Sequence, residues 1–164
     1  MQRFAWPLFA AAIILAVALI LSTESQLPAV VATHFGPGGR ADGFIPHDRY
    51  VALIVGLAAG MPLALAAVMA WLPRVAPKLF KLDRCKRWAD PKARPAILAS
   101  TATFGVLEGA LVAAFVAGVH FTLIASHESV PPRLDKAVFI PILVAFVVLT
   151  LAACFVHTRA TRRA

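Results

Sequence analysis

The stretch "ILASTATFGVLEGALVAAFVAGVHFTLIA", residues 97–125, decides the fold. It contains no Lys or Arg and only one carboxylate, Glu108. A helix of about 20 residues is enough to cross the hydrocarbon core of a bilayer. The run therefore predicts a transmembrane helix that is longer than the crossing requires, so that it tilts or extends past the membrane surface.

Three further apolar runs share this character, at residues 4–21, 50–72 and 137–156. Hydrophobic residues make up 60% of the 164-residue chain, and the mean hydropathy is +0.81. A soluble domain of this length cannot bury so much apolar surface. We therefore predict an all-α membrane protein, a bundle of four transmembrane helices that forms one domain over residues 1–164.

The basic residues are distributed unevenly along the chain, whose formal net charge is +8. Twelve of the 16 Lys and Arg residues lie in the N-terminal segment, the second loop and the C-terminal tail. Because positively charged loops stay in the cytoplasm, both termini are predicted to be cytoplasmic and the first loop extracytoplasmic. The lipid bilayer is the expected partner of these charges and nucleic acid is not, although phosphate binding by the second loop stays an alternative.

The first loop contains the segment "LPAVVATHFGPGGRADGF", residues 27–44, which is unlike the rest of the chain. Its β-branched start favours a short extended segment, and Gly39 and Gly43 permit the backbone angles that turns require. Asp42 can accept hydrogen bonds from turn amides, and His34 is expected to contact Asp42 across the hairpin. We predict a short ordered loop cap between helices 1 and 2, which either binds a ligand or only closes the fold.

The same segment resembles a bacterial membrane domain of unknown function that begins SdpI-type immunity proteins. The resemblance covers residues 1 to about 72, and the family likewise places the motif between its first two spans. It implies a multi-pass protein of the bacterial cytoplasmic (inner) membrane, with a cap site at His34, Gly39, Asp42, Gly43 and Phe44. The matching positions are Leu27, Pro28, Val31, His34, Phe35, Gly39, Asp42, Gly43 and Phe44.

Histidines and carboxylates on the extracytoplasmic side are weak candidates for a metal site. Imidazole and carboxylate groups together can bind zinc, but the spacing of His34, Asp42 and His47 matches no standard ligand motif. No metal is therefore predicted, and metal binding stays an alternative. Further residues expected on this side are Asp48, His120 and His127.

Glu108 lies near the middle of the third run, where a charged carboxylate costs at least ~2.5 kcal/mol. By helical spacing it shares a small, polar face with Thr101, Gly105 and Val112, which is expected to point into the bundle. No basic residue lies at a matching depth. We hypothesise that Glu108 is protonated, or meets a partner protein or an ion. The structural alternative is a neutral acid that hydrogen-bonds to a helix backbone or to Thr101.

Two GxxxG motifs occur in the spans, Gly56/Gly60 in the second and Gly105/Gly109 in the third. Small residues at this spacing let helix backbones approach closely. Gly60, Gly105 and Gly109 all lie near mid-membrane by counting. We therefore predict that Gly60 meets Gly105 and Gly109 across an antiparallel helix pair.

Motifs for catalysis are missing from the sequence. It has no phosphate-binding Gly-rich loop, no GxSxG, no HExxH and no nucleophile–base pair at a spacing typical of catalytic sites. We expect a non-enzymatic protein without a cofactor, which engages a membrane protein, a peptide or a second copy of itself in immunity, envelope signalling or a larger membrane complex. The alternatives are a proton or small-cation transporter that uses Glu108, and a membrane enzyme or metal site that uses the extracytoplasmic histidines.

Overall fold

The computed structural model describes residues 2–80 and 86–163, and 77% of it is helical. Four long helices dominate: α1 (Gln2–Thr23), α2 (His47–Val75), α3 (Arg94–Ser126) and α4 (Lys136–Arg163). Each is long and apolar enough to cross a membrane. The chain is therefore a multi-pass membrane protein, as predicted. Three of the basic-loop positions, Lys81, Arg84 and Lys86, and also Cys85, lie wholly or partly outside this description.

The helices extend beyond the apolar runs that predicted them. α2 begins at His47 and α3 at Arg94, each three residues before its run. The apolar runs mark where lipid surrounds the chain, whereas the backbone hydrogen bonds of a helix continue into polar residues at the membrane surface. With 33 residues at about 1.5 Å per residue, α3 is longer than the hydrocarbon core is thick.

α3 forms the centre of the bundle and packs against each of the other three helices. One cluster of buried side chains joins α1, α2 and α3 toward the first loop and includes Ile20, Tyr50 and Val116. A second cluster, around Phe9 and Val106, lies toward the termini. α4 packs on α3 and leaves the rest of its surface exposed.

A two-stranded antiparallel sheet lies between α1 and α2, so the predicted all-α class was incomplete. Its strands are β1 (Val30–Phe35) and β2 (Ala41–Pro46), paired from Val30 opposite Pro46 to Phe35 opposite Ala41. Between them the chain turns at Gly39, whose φ of 75° lies in the region that favours glycine. The β-branched residues of β1 favour this extended conformation.

Backbone hydrogen bonds join the hairpin to the second half of the chain. The Ala41 amide donates to the Pro132 carbonyl at 3.1 Å, and the Leu134 amide donates to the Gly39 carbonyl at 2.8 Å. Beneath them, the Val31 side chain is fully buried against the bundle. The hairpin is thus held at the end of the bundle by the α3–α4 loop as well as by its own strands.

Candidate functional site

An exposed histidine–carboxylate pair lies on the hairpin. His34 Nδ1 of β1 contacts Asp42 Oδ1 of β2, and the two side chains are 74% and 53% exposed. The contact that the sequence predicted between them is therefore present. Glycines leave room for the pair, because a Cβ at Gly43 would lie 2.8 Å from His34 Cβ and one at Gly36 would lie 2.9 Å from Asp42 Oδ2.

Apolar side chains project beside this pair. Residues directly opposite each other, or two apart along a strand, share one face of a sheet. Phe44 and Val30 therefore project on the same side as Asp42, and each is about half exposed. We call Val30, His34, Asp42 and Phe44 the hairpin face. It combines a histidine–carboxylate pair with an aromatic and an aliphatic group, and each of the four side chains is about half exposed or more.

The weak metal candidates do not converge. His34 and Asp42 bind each other, whereas His47 Nε2 donates to the Glu24 carbonyl oxygen at 3.0 Å. Across residues 2–80 and 86–163, no group of three or more His, Cys, Asp or Glu side chains is placed to hold a metal ion.

His120 lies in the half of α3 nearer the hairpin, where it bonds to the hairpin ends of α1 and α2. Its side chain is fully buried between α1, α2 and α3. Thr23 donates its only hydroxyl proton to the Leu19 carbonyl at 2.6 Å, so His120 Nε2 must donate to Thr23 Oγ1 at 2.9 Å. His120 Nδ1 then accepts from the Tyr50 hydroxyl at 2.7 Å. Both ring nitrogens of His120 and the Tyr50 hydroxyl therefore have partners. Hydrogen bonds to one neutral imidazole join α1, α2 and α3.

His127 also has a structural place. Its Nδ1 donates to the Leu123 carbonyl at 2.7 Å, which leaves Nε2 to accept the Ala32 amide of β1 at 3.0 Å. The ring thereby joins the end of α3 to the hairpin. The sequence signal for His120 was a polar residue in an apolar run, and His127 lies just beyond that run. Neither position identifies partners so distant along the chain.

Glu108 lies at the contact between α3 and α4, with 7% of its surface exposed. Its Oε2 accepts a hydrogen bond from Thr150 Oγ1 at 3.1 Å, whereas Oε1 is buried and has no partner among the described residues. The alternative in which Glu108 bonds to Thr101 is not what the structure shows, because the Thr101 hydroxyl donates to the Ile97 carbonyl at 3.0 Å. Threonine in a helix readily makes this bond to its own preceding turn.

Ring contacts continue above and below Glu108 along the same helix pair. Phe115 stacks on Phe146 with ring centroids 4.5 Å apart, and Phe104 stacks on His157 at 4.6 Å. We call the line of contacts from Phe115–Phe146 through Glu108–Thr150 to Phe104–His157 the α3–α4 seam. It is the surface through which α4 is attached to the bundle.

The two GxxxG motifs do not meet. Gly56 and Gly60 are exposed, and a Cβ on either would contact nothing within 4 Å, so the predicted contact of Gly60 with α3 was wrong. Gly105 packs on Met69 of α2, where a Cβ would overlap that side chain. A Cβ on Gly109 would lie 2.7 Å from Phe9 of α1. Of the two motifs, the pair in α3 is the one that lies against other helices of the described residues.

An open groove of about 310 Å³ runs along the exposed side of α3, between α2 and α4. Its lining is entirely apolar and includes Ile54, Met61, Phe115, Val119 and Phe146. Without a polar group, the groove has nothing to orient a polar substrate.

Neither protein-family models nor curated proteins nor solved structures give a match to this chain. Function is therefore inferred from the side chains themselves. Two places combine polar chemistry with unused bonding capacity: the exposed hairpin face and the buried Glu108 in the α3–α4 seam.

Proposed function

We propose that this chain is a non-enzymatic membrane protein that binds a partner protein or peptide through its hairpin face. The observation that carries the proposal is the exposed His34–Asp42 pair, held on a hairpin that is fixed to the bundle. In this view the hairpin is an ordered cap with a binding role.

The pair contributes little to the fold itself. Exposed ion pairs stabilise proteins by only about 0–1 kcal/mol, and both side chains are mostly in contact with solvent. Phe44 beside them is 51% exposed, and aromatic residues are enriched where proteins bind each other. Because the hairpin is already ordered, binding there would cost little conformational entropy.

The histidines favour binding over catalysis. His47, His120 and His127 each use ring nitrogens in bonds within the chain. Of the two histidines of the first loop, His34 is the one that pairs with a carboxylate on the surface. This arrangement supports recognition of a partner more strongly than hydrolysis or metal chemistry.

The resemblance to SdpI-type proteins and the charge distribution supply the cellular setting of the proposal. The hairpin faces outward from the bacterial inner membrane, and both termini lie in the cytoplasm with the basic loop. The partner is a membrane protein or a peptide outside the cytoplasm, in immunity, envelope signalling or an accessory role in a larger complex.

Site-specific crosslinking in living cells tests the proposal. A photoreactive residue replaces Phe44 in one variant and, as a matched control, Gln26, which is exposed in the same loop. We expect one discrete adduct from position 44 and none from position 26. Asp42→Asn combined with the probe at position 44 should weaken the adduct, because it removes the charge of the pair.

Two outcomes would contradict the proposal. One is the absence of any adduct from position 44 in a variant that accumulates normally in the membrane. The other is the same set of adducts from both positions, which would indicate random collisions.

A further inference from the structure

The Glu108 carboxyl has bonding capacity that the fold leaves open. The side chain is more than nine-tenths buried, Oε2 accepts from the Thr150 hydroxyl at 3.1 Å, and Oε1 has no partner among the described residues. A buried polar atom without a partner is costly in an apolar environment. A small ligand that binds Oε1 without displacing a side chain would remove this cost.

The residues around Glu108 indicate that this ligand is a proton. The helices packed on α3 carry no Asp, Glu, Lys, Arg or His over residues 4–23 and 51–73. The ionisable groups of α4 on this half of the seam are Cys154 and His157, and neither forms an ion pair with Glu108. An unpaired carboxylate inside the membrane costs at least ~2.5 kcal/mol, which protonation removes.

The two halves of the α3–α4 seam differ in polarity. Toward the termini, Ser100 Oγ and His157 Nδ1 lie 3.5 Å apart, and Cys154 lies between His157 and Thr150 along α4. Toward the hairpin, the stacked rings of Phe115 and Phe146 close the seam. Among the described residues, the stacked pair on the terminal side of Glu108 includes the polar ring of His157, whereas both rings on the hairpin side are phenylalanine.

We propose that Glu108 and Thr150 form a proton-binding site inside the membrane that exchanges its proton with the side of the bundle carrying the termini. The proton occupies Oε1, while Oε2 keeps its bond from Thr150. Gaining the proton converts the carboxylate to a carboxylic acid and needs no other reactant. Losing it leaves a charge in the seam, which favours entry of water between α3 and α4.

One-sided exchange makes Glu108 a sensor of proton concentration and not a step in transport. A transporter needs access from both sides, and on the hairpin side the apolar stack of Phe115 and Phe146 lies between Glu108 and the buried Thr122 along α3. The site is also separate from the hairpin face, so either proposal can fail without the other.

Dicyclohexylcarbodiimide tests the protonation state, because it reacts with protonated carboxyls in apolar surroundings. The acid O–H adds across one C=N bond to give an O-acylisourea, which rearranges to a stable N-acylurea. We expect a single adduct at Glu108 in proteoliposomes at neutral pH, located by mass spectrometry. Glu108→Gln should give none, and Asp42→Asn should label like the wild type.

Sidedness is tested in vesicles whose inner and outer buffers differ in pH, with the protein inserted in one known orientation. Raising the pH on the terminal side should decrease labelling several-fold, whereas raising it on the hairpin side should change little. Infrared spectra should show a protonated-acid C=O band in the wild type that disappears in Glu108→Gln.

Three results would overturn the inference. They are a folded wild type without that infrared band, an adduct that persists in Glu108→Gln, and labelling controlled by the pH on the hairpin side. Because Gln has nearly the shape of Glu, circular dichroism of Glu108→Gln should match the wild type, so loss of labelling there reports on the carboxyl.

Discussion

α3 and α4 are both apolar enough to cross a membrane, yet they occupy opposite places in the bundle. Of the four helices, α4 has the highest mean hydropathy and no buried residue in its apolar window, whereas α3 has the lowest and has 44% of its window buried. A soluble protein would show the reverse order. In a bilayer the surroundings are as apolar as the core, so small and polar residues gain most from contact with other helices.

The glycine pairs follow the same division. Gly105 and Gly109 lie in the central helix and allow α2 and α1 to approach, whereas Gly56 and Gly60 of α2 face outward. The motif alone therefore did not indicate a contact. The buried pair differs from Gly56 and Gly60 because its helix, α3, also carries the buried polar residues Thr101 and Glu108.

The largest expected effect comes from filling the central glycine. Gly105→Leu should lower the free energy of unfolding by about 3 kcal/mol, because the new side chain overlaps Met69 and forces α2 and α3 apart. The same change at Gly56, which has open space, should stay within about 0.5 kcal/mol. Unfolding in mixed detergent–SDS micelles, followed by circular dichroism, measures both. Equal losses at the two positions would show that α2 uses Gly56 in an interface.

A smaller effect is expected from the buried imidazole. His120→Leu should cost about 2 kcal/mol, because the buried Tyr50 hydroxyl loses its acceptor and three helices lose their common tie. His34→Leu on the exposed hairpin face serves as the control and should change stability by less than about 0.5 kcal/mol. The same unfolding assay measures the stability of both variants. A His34 variant as unstable as the His120 variant would contradict the contrast between the two sites.

The smallest effect is expected where α4 meets α3. Thr150→Val removes the hydroxyl bond to Glu108 and should cost about 1 kcal/mol. Thr158→Val removes a hydroxyl that only bonds the Cys154 carbonyl of its own helix, and it should be nearly neutral. Comparing the two variants in the unfolding assay measures how much the seam holds α4. Identical stabilities would mean that the Glu108–Thr150 bond contributes nothing.

The sequence predicted four helices because length and apolarity alone decide whether a segment can cross a bilayer. It also predicted the contact of His34 with Asp42, since both residues lie in one short hairpin. It was wrong for the contact of Gly60, and it did not identify the partners of Glu108 and His120. These contacts depend on the rotation of each helix about its axis. In spans that are apolar on all sides, no amphipathic pattern specifies that rotation.

The hairpin shows a second limit of sequence reasoning. The β-branched residues of β1 indicated an extended segment, but the bonds to Pro132 and Leu134 join distant parts of the chain. Backbone groups make these bonds, so no side-chain pattern marks their partners. His127 likewise gave no sign that it would accept the Ala32 amide.

The bond between Ala32 and His127 joins residues 95 positions apart, which affects how the protein is made. A growing chain inserts α1 and α2 and completes β1 and β2 long before the ribosome reaches His127, Pro132 or Leu134. Until the third span has crossed, the Ala32 and Ala41 amides lack their final acceptors. Because Leu134 precedes α4, which begins at Lys136, the hairpin can complete these bonds once α3 is in place and before α4 is made.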